Sequence, residues 1–393
     1  MRVKFKELSI VLIYILMFIS ALSYMRFTVV DSPAWAYLHV LAMLSIIGIG
    51  FLYMIFSSQG KIQVDFLNGV LILLICYELM VSLVTSLFNV KTIVDVVSWP
   101  LLVMVFSHYS RTNDLPKCFS LITLCGITLV ILFCFPNITK FKLYGDGDAI
   151  FTTYYSFAFL PILFLTCSSK IAKLYSFIVM LVMLLTLKRG AFLIVFLGLG
   201  IYYFMVKYTD ESAKHQMRKY LSYFMGVLVL LIFVNYLIEK LDLNILLRLQ
   251  NSLEDSGSGR LMIWDEIIWE FTKSSFIEKV FGHGFHSVFY QVKPLGIARY
   301  AHNSFVETLY DYGIVGLILI IYTVVLLMKK SIEMLKIKSK LTPIMFYSLV
   351  PMLILGLVSY FFEEAIIIIP ISVVWGVCLG RFTREKNLRA EGL

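Results

Sequence analysis

The chain has 393 residues, of which 60% are hydrophobic and 15% charged, and its mean hydropathy is +0.87. A soluble domain carries roughly 25% charged residues and buries at most about 75% of its chain surface. This composition therefore excludes a soluble globular enzyme, a disordered chain and a collagen-like fibre. Lipid is the implied solvent, and the formal net charge of +9 belongs to loops facing one side of a membrane rather than to nucleic-acid contacts.

In chain order, twelve apolar stretches approach the length needed to span a bilayer: 8–25, 34–56, 66–88, 92–109, 117–135, 149–167, 171–187, 190–206, 220–238, 304–328, 341–360 and 365–380. Three are weak. The stretch 92–109 carries Asp95 and Trp99-Pro100, 149–167 is rich in Thr and Tyr, and 365–380 is short. Continuous runs of this kind argue against a transmembrane β-barrel, whose strands alternate apolar and polar residues. The expected fold is all-α, a polytopic membrane helical bundle of about 12 transmembrane helices with one long extracytoplasmic loop containing short surface helices. Residues 1–238 hold the first nine helices, 239–303 the large loop, and 304–393 the last three helices and a tail.

Orientation follows from the basic residues. Arg2, Lys4 and Lys6 open the chain, Lys207, Lys214, Arg218 and Lys219 share one loop, Lys329 and Lys330 precede three further lysines, and Arg381, Arg384, Lys386 and Arg389 close it. All fall on the side of the N-terminus, so both termini are expected in the cytoplasm. The first 25 residues have the basic start and apolar core of a secretory signal, but the core is long and further spans follow, so they read as the first span. The six cysteines form no CxxC pair and avoid the large loop, which points to packing roles. Neither a P-loop, nor GxGxxG, nor HExxH is present, so chemistry driven by ATP has no motif to support it.

The large loop has chemistry of its own. Its stretch 261–271 reads LMIWDEIIWEF, apolar at helical spacing, and Trp264 and Trp269 suit a helix at a membrane surface. Gly282, Gly284 and Gly296 mark tight turns, with His283 and His286 close by. Arg189 opens a span whose N-terminal partial positive charge faces outward. Two positives aimed at one place suit an anion, most simply a phosphate, although a snorkelling turn explains Lys188-Arg189 as well. Arg260 repeats this at the start of the surface helix, with a solvated loop charge as the alternative. Arg299 lies three residues before His302, and solvation explains it equally. His302 precedes Asn303, a good helix cap, which sets an imidazole able to take a proton from a hydroxyl on the same side. Glu307 and Asp311 share a face of the next span, and Glu363 and Glu364 reach the same side; they suit either sugar hydroxyls or ion pairs with the arginines.

His302-Asn303 followed by nine residues, Gly313, two residues and Gly316 fits H-[NSQ]-x9-G-x-x-[GTY]. Arg189 to Leu193 fits R-x3-L. Ser258-Gly259-Arg260 with Trp264, and then Phe281-Gly282-His283-Gly284, follow in the same order. Over roughly residues 186–327 the chain resembles the O-antigen ligases and the related O-antigen and capsular polysaccharide polymerases. The resemblance implies a membrane glycosyltransferase of the bacterial inner membrane. Its donor would be a glycan on undecaprenyl pyrophosphate, and its acceptor either a second lipid-linked glycan or lipid A-core. By carry-over, Arg189 and Arg260 bind the pyrophosphate and His302 activates the acceptor hydroxyl for inverting attack. Arg299, Glu307 and Asp311 are possible glycan or acceptor contacts. No metal or other cofactor is implied. Membrane lipids, and chain-length regulator and flippase proteins, are candidate partners; nucleic acid is not. The single dominant loop leans toward a ligase and the Phe- and Ile-rich chain toward a polymerase, the favoured reading. A flippase or transporter for the same lipid-linked glycans is the remaining class, but transporters commonly show repeated halves, and none is visible.

Overall fold

The structure, a computed structural model, describes residues 2–57, 65–144, 151–185, 189–209, 259–297, 299–359, 361–362 and 364–391. Every regular element among them is helical. The chain runs through α1 (Arg2–Val30), α2 (Pro33–Ser57), α3 (Phe66–Val84), α4 (Val90–Ser110), α5 (Cys118–Tyr144), α6 (Tyr154–Thr166), α7 (Ser169–Leu185) and α8 (Arg189–Thr209). The short α9 (Arg260–Lys273) and α10 (Phe276–Phe281) follow, and then α11 (Ser304–Lys336), α12 (Thr342–Val358) and α13 (Ala365–Ala390). Seven of these helices are long and apolar enough to cross a membrane, and shorter apolar helices accompany them. The protein is a polytopic membrane helical bundle. Eleven of the twelve expected spans fall on described helices; the stretch 220–238 lies outside the described residues.

Several expected boundaries shift, two of them at a proline or a late helix start. The stretch 117–135 extends to Tyr144 because Pro136 sits inside α5 without ending it; neighbouring helices can satisfy the carbonyl that a proline frees. The stretch 149–167 begins its regular helix only at Tyr154.

The two weakest hydropathy signals, α4 and α13, form the centre. Of the residues in their apolar stretches, 83% and 94% are buried, against 39% in α5 and α11. They approach closely because α13 presents Gly376 and Gly380 to α4. A Cβ at Gly376 would lie 2.7 Å from the Val103 carbonyl oxygen, and one at Gly380 would lie 2.4 Å from that of Ser107. Small residues four apart are a common device for close helix contact in lipid, where packing replaces the hydrophobic drive.

The bundle has two distinct ends. At one, Arg111 pairs with Asp65, Arg384 with Asp114 (2.6 Å), and Ser339 bonds Glu385 (2.7 Å). The start of α1 and the end of α13 lie at this end, since Glu7 lines a cavity with Asp114 and Arg384 pairs with Asp114. At the other end, Lys140 bonds Asp31 (3.0 Å) and Lys91 bonds Tyr300 (3.2 Å). Residues 259–303 are at this second end, where Ile263, Ile267, Val288, Ala301 and Tyr310 make a small core of their own.

Replacing Gly380 with Leu should push α13 from α4. Overpacking of this kind costs about 1–3 kcal/mol, and a thermal melt of the purified protein in nanodiscs should show a lowered midpoint.

Candidate functional site

The site is built around a break in α11. Asn303 caps this helix, its side chain accepting from the Phe305 and Val306 amides at 2.9 and 3.2 Å. Ten residues later the helix is interrupted: Gly313 has φ 65° and ψ −169°. Into the interruption fits Gly282, itself at φ 87°. A Cβ there would lie 2.3 Å from the Asp311 carbonyl oxygen, and one at Gly313 would lie 2.4 Å from that of Val280. Only glycine meets both demands, a positive φ and backbone-to-backbone contact. Three carbonyls at the break find donors outside the helix. The His283 amide donates to the Tyr310 carbonyl (3.2 Å), the Gly284 amide to that of Asp311 (2.8 Å), and the Tyr77 hydroxyl to that of Tyr312 (2.8 Å).

The two carboxylates of α11 act on the chain that precedes them. Asp311, fully buried, accepts from the His286 amide (2.7 Å), the Ser287 hydroxyl (2.6 Å) and the Val288 amide (3.2 Å). Glu307, also fully buried, accepts from the Ala301 amide at 2.5 Å. The Ala301 carbonyl in turn accepts from the indole nitrogen of Trp264 at 2.7 Å. Both backbone groups of Ala301 are thus held, one by α11 and one by α9. Its neighbour His302 has φ 52°, in the left-handed region. Such a backbone costs a non-glycine residue on the order of 1–3 kcal/mol and persists where surrounding contacts enforce it. The clamp on Ala301 is that enforcement, and it presents a half-buried imidazole at the end of the bundle.

Arg260 starts α9, with Gly259 as its cap at φ 72°, one helical turn before Trp264. It lies within electrostatic reach of Tyr154 at the start of α6. The same clamp that holds His302 therefore also fixes the helix that begins with Arg260. Arg189 starts α8, and its side chain lies outside the described residues, as does Glu363. Arg299 is half-buried, and its Nε is enclosed with no hydrogen-bond partner among the described residues. Glu364 meets the Tyr155 hydroxyl at 3.4 Å. His283 and His286 go separate ways. His283 donates from Nδ1 to the Tyr310 carbonyl (3.1 Å), meets the Ser274 hydroxyl at Nε2 (3.0 Å) and stacks on the Tyr310 ring. His286 is buried and stacks on Phe285.

Two participants escaped the sequence reading. Lys91, at the start of α4, reaches across the bundle to the Tyr300 hydroxyl, with its ammonium 5.6 Å from the ring centre. Tyr300 is two residues from His302 and packs on His286 and Phe289. Burial, above all, pushes its phenol up to about 12, with Lys91 working against that rise, so it stays protonated. Asn89 capping α4 marks where Lys91 begins a helix, but nothing local indicates a partner more than two hundred residues away.

Residues 174–321 match the family model for O-antigen ligase. The match supports assignment of this chain to the O-antigen ligase and polymerase family, as the motifs in the sequence suggested. It spans α7 to the middle of α11 and takes in Arg189, Arg260, His302, Gly313 and Gly316. No curated protein matches the chain. The match to the O-antigen ligase model, together with the span-length apolar helices, supports a multi-pass membrane protein and suggests a glycosyltransferase-like enzyme. Within the matched stretch, Asn303 caps α11 and Gly313 makes the break that admits the strap of residues 281–288.

Two outcomes are expected from these contacts. Trp264→Phe keeps the ring but loses the bond to Ala301, worth about 1–2 kcal/mol when a buried acceptor is stranded. Amide exchange over 299–303 should accelerate accordingly. His286 is held neutral, its pKa depressed well below the usual histidine value by burial and then by Lys91. Below about pH 6.5 the unfolded segment binds a proton that the folded one refuses, so stability falls with pH from there downward. The protection of the 283–290 amides, taken as the ratio of intrinsic to observed exchange rate, should fall as pH drops from 7 to 5, and His286→Asn should flatten that dependence.

Proposed function

We propose that the protein transfers a glycan from undecaprenyl pyrophosphate to an acceptor sugar at the extracytoplasmic face of the bacterial inner membrane, with both termini cytoplasmic. The favoured reaction is polymerisation of O-antigen or capsule repeat units. The observation that carries the reading is the clamp on Ala301. It ties the imidazole of His302 to the helix that starts with Arg260, at one end of a lipid-embedded bundle.

In this reaction the acceptor hydroxyl oxygen attacks the anomeric carbon of the donor from the face opposite the pyrophosphate. The new C–O bond forms as the bond to the phosphate oxygen breaks, the anomeric centre inverts, and undecaprenyl pyrophosphate leaves with the electron pair. His302 takes the hydroxyl proton. Arg260 and Arg189 neutralise the leaving group, since a guanidinium offers a planar fork to phosphate oxygens. No metal step is required. Arg299 is the candidate acceptor contact, because its enclosed Nε still has a hydrogen bond to give. Glu307 and Asp311 serve better as positioning residues than as glycan contacts, since both carboxylates already hold backbone amides and have no exposed surface.

The description of the family model favours a second reading, ligation of the lipid-linked glycan to lipid A-core. One assay separates the two. Purified protein is given an undecaprenyl pyrophosphate-linked repeat unit, with and without lipid A-core, in EDTA. A ladder of longer lipid-linked glycans without lipid A-core supports polymerisation. A single transfer that requires lipid A-core supports ligation. Silence in both removes the transferase reading and leaves a flippase or transporter. His302→Ala should lower kcat by about 100-fold to 10,000-fold, the usual contribution of a general base. Arg260→Lys should lower kcat/KM by about tenfold, because a point charge replaces the fork. Full activity in His302→Ala would overturn the assigned base.

A further inference from the structure

The short helix α10 (Phe276–Phe281) belongs, by sequence, to an aqueous loop. Its contacts place it lower. The Phe281 carbonyl accepts from the Tyr77 hydroxyl at 3.2 Å. Tyr77 is inside the membrane span Phe66–Val84, seven residues before its end, which is about 10 Å along a helix. Gly284, just beyond α10, lies against Thr85, the residue that caps that span. The strap therefore descends from the His302 end alongside α3 and α11 and returns at their outer boundary.

The chemistry of α10 agrees with this depth. At 100° per residue, Phe276, Ile277, Val280 and Phe281 occupy one arc of the helix, and Glu278 and Lys279 the other. In a soluble protein the apolar arc would face the core. Here Phe276 is 81% exposed, Ile277 68% and Phe281 46%. Exposed apolar side chains also mark the neighbouring span-length helices, for Leu83 and Val84 at the end of α3 are 57% and 79% exposed, and Ile314 and Ile318 of α11 are 44% and 58% exposed. Irregular backbone at membrane depth is tolerated only where its polar groups are satisfied by protein. That condition holds here, since the Gly282, His283 and Gly284 amides all have backbone acceptors.

We propose that α10 is a re-entrant element immersed in the leaflet at the His302 end, with Phe276, Ile277 and Phe281 against lipid acyl chains and Glu278 and Lys279 among headgroups. The immersion pins the strap in the break of α11. It concerns where the loop sits and does not depend on which transfer reaction the protein performs.

The test uses the full-length protein in phospholipid nanodiscs, with the six native cysteines replaced by Ser or Ala. Ile277→Cys and Lys279→Cys are reacted with a membrane-impermeant charged maleimide, and Phe276→Cys is a second apolar position. The expected result is a rate at least tenfold slower at 277 and 276 than at 279. A nitroxide label at 277 should also collide more often with oxygen than with a water-soluble nickel chelate, with the order reversed at 279. Equal maleimide rates at 276, 277 and 279, or nickel-chelate dominance at 277, would overturn the proposal. A thermal melt of each variant confirms that it is folded, and two apolar positions keep the test decisive if one substitution fails.

Discussion

Hydrocarbon offers no hydrogen bonds, so each backbone group at membrane depth must find its partner within the protein. The break at Gly313 meets that constraint by exchange. The helix gives up its regular ladder, the strap 281–288 supplies donors to the Tyr310 and Asp311 carbonyls, and Tyr77 of α3 donates to those of Tyr312 and Phe281. Two glycines make the exchange sterically feasible because neither backbone could approach the other past a Cβ. Everything at the His302 end is anchored from this point. Asp311, two residues before the break, holds the 286–288 turn, and Glu307, one turn earlier, holds Ala301.

Placing the imidazole then becomes a matter of backbone rather than of its own side-chain contacts. Ala301 is gripped through its amide and its carbonyl, and His302 takes the strained conformation that follows. Because the grip on the carbonyl comes from Trp264, the helix that begins with Arg260 and the residue after Ala301 share one mechanical unit. In the proposed reaction, where Arg260 holds a phosphate and His302 accepts a proton, such a link fixes their separation, and small misplacements cost large factors in rate.

The centre of the bundle shows how polarity misleads a hydropathy reading. The helices α4 and α13 look weak as spans because one carries Asp95 and Trp99-Pro100 and the other is short and glycine-containing. They are nevertheless the most buried pair among the seven span-length helices. Glycines at 376 and 380 look poor for a helix in isolation, yet they are what allows α13 to sit against the α4 backbone. Residues that lower an isolated helix's score here raise the quality of the contact.

Composition and periodicity alone determined that the protein is a helical bundle in lipid, with most of its spans and a helix at 261–271, because a 20-residue apolar run in a membrane has few other stable options. The motif order of Arg189, Arg260, His302 and Gly313 was enough to point to the O-antigen ligase and polymerase family. Tertiary structure decided the rest. Glu307 and Asp311 share a helix face in sequence, but only the fold shows that one oxygen of Glu307 holds the Ala301 amide and that Asp311 holds the 286–288 turn. Lys91 finds Tyr300 more than two hundred residues away, and Phe281, the last residue of α10, meets Tyr77 of α3. These are contacts between distant segments, and the spacing along one strand of chain carries no record of which distant segment will fill a break or clamp a residue.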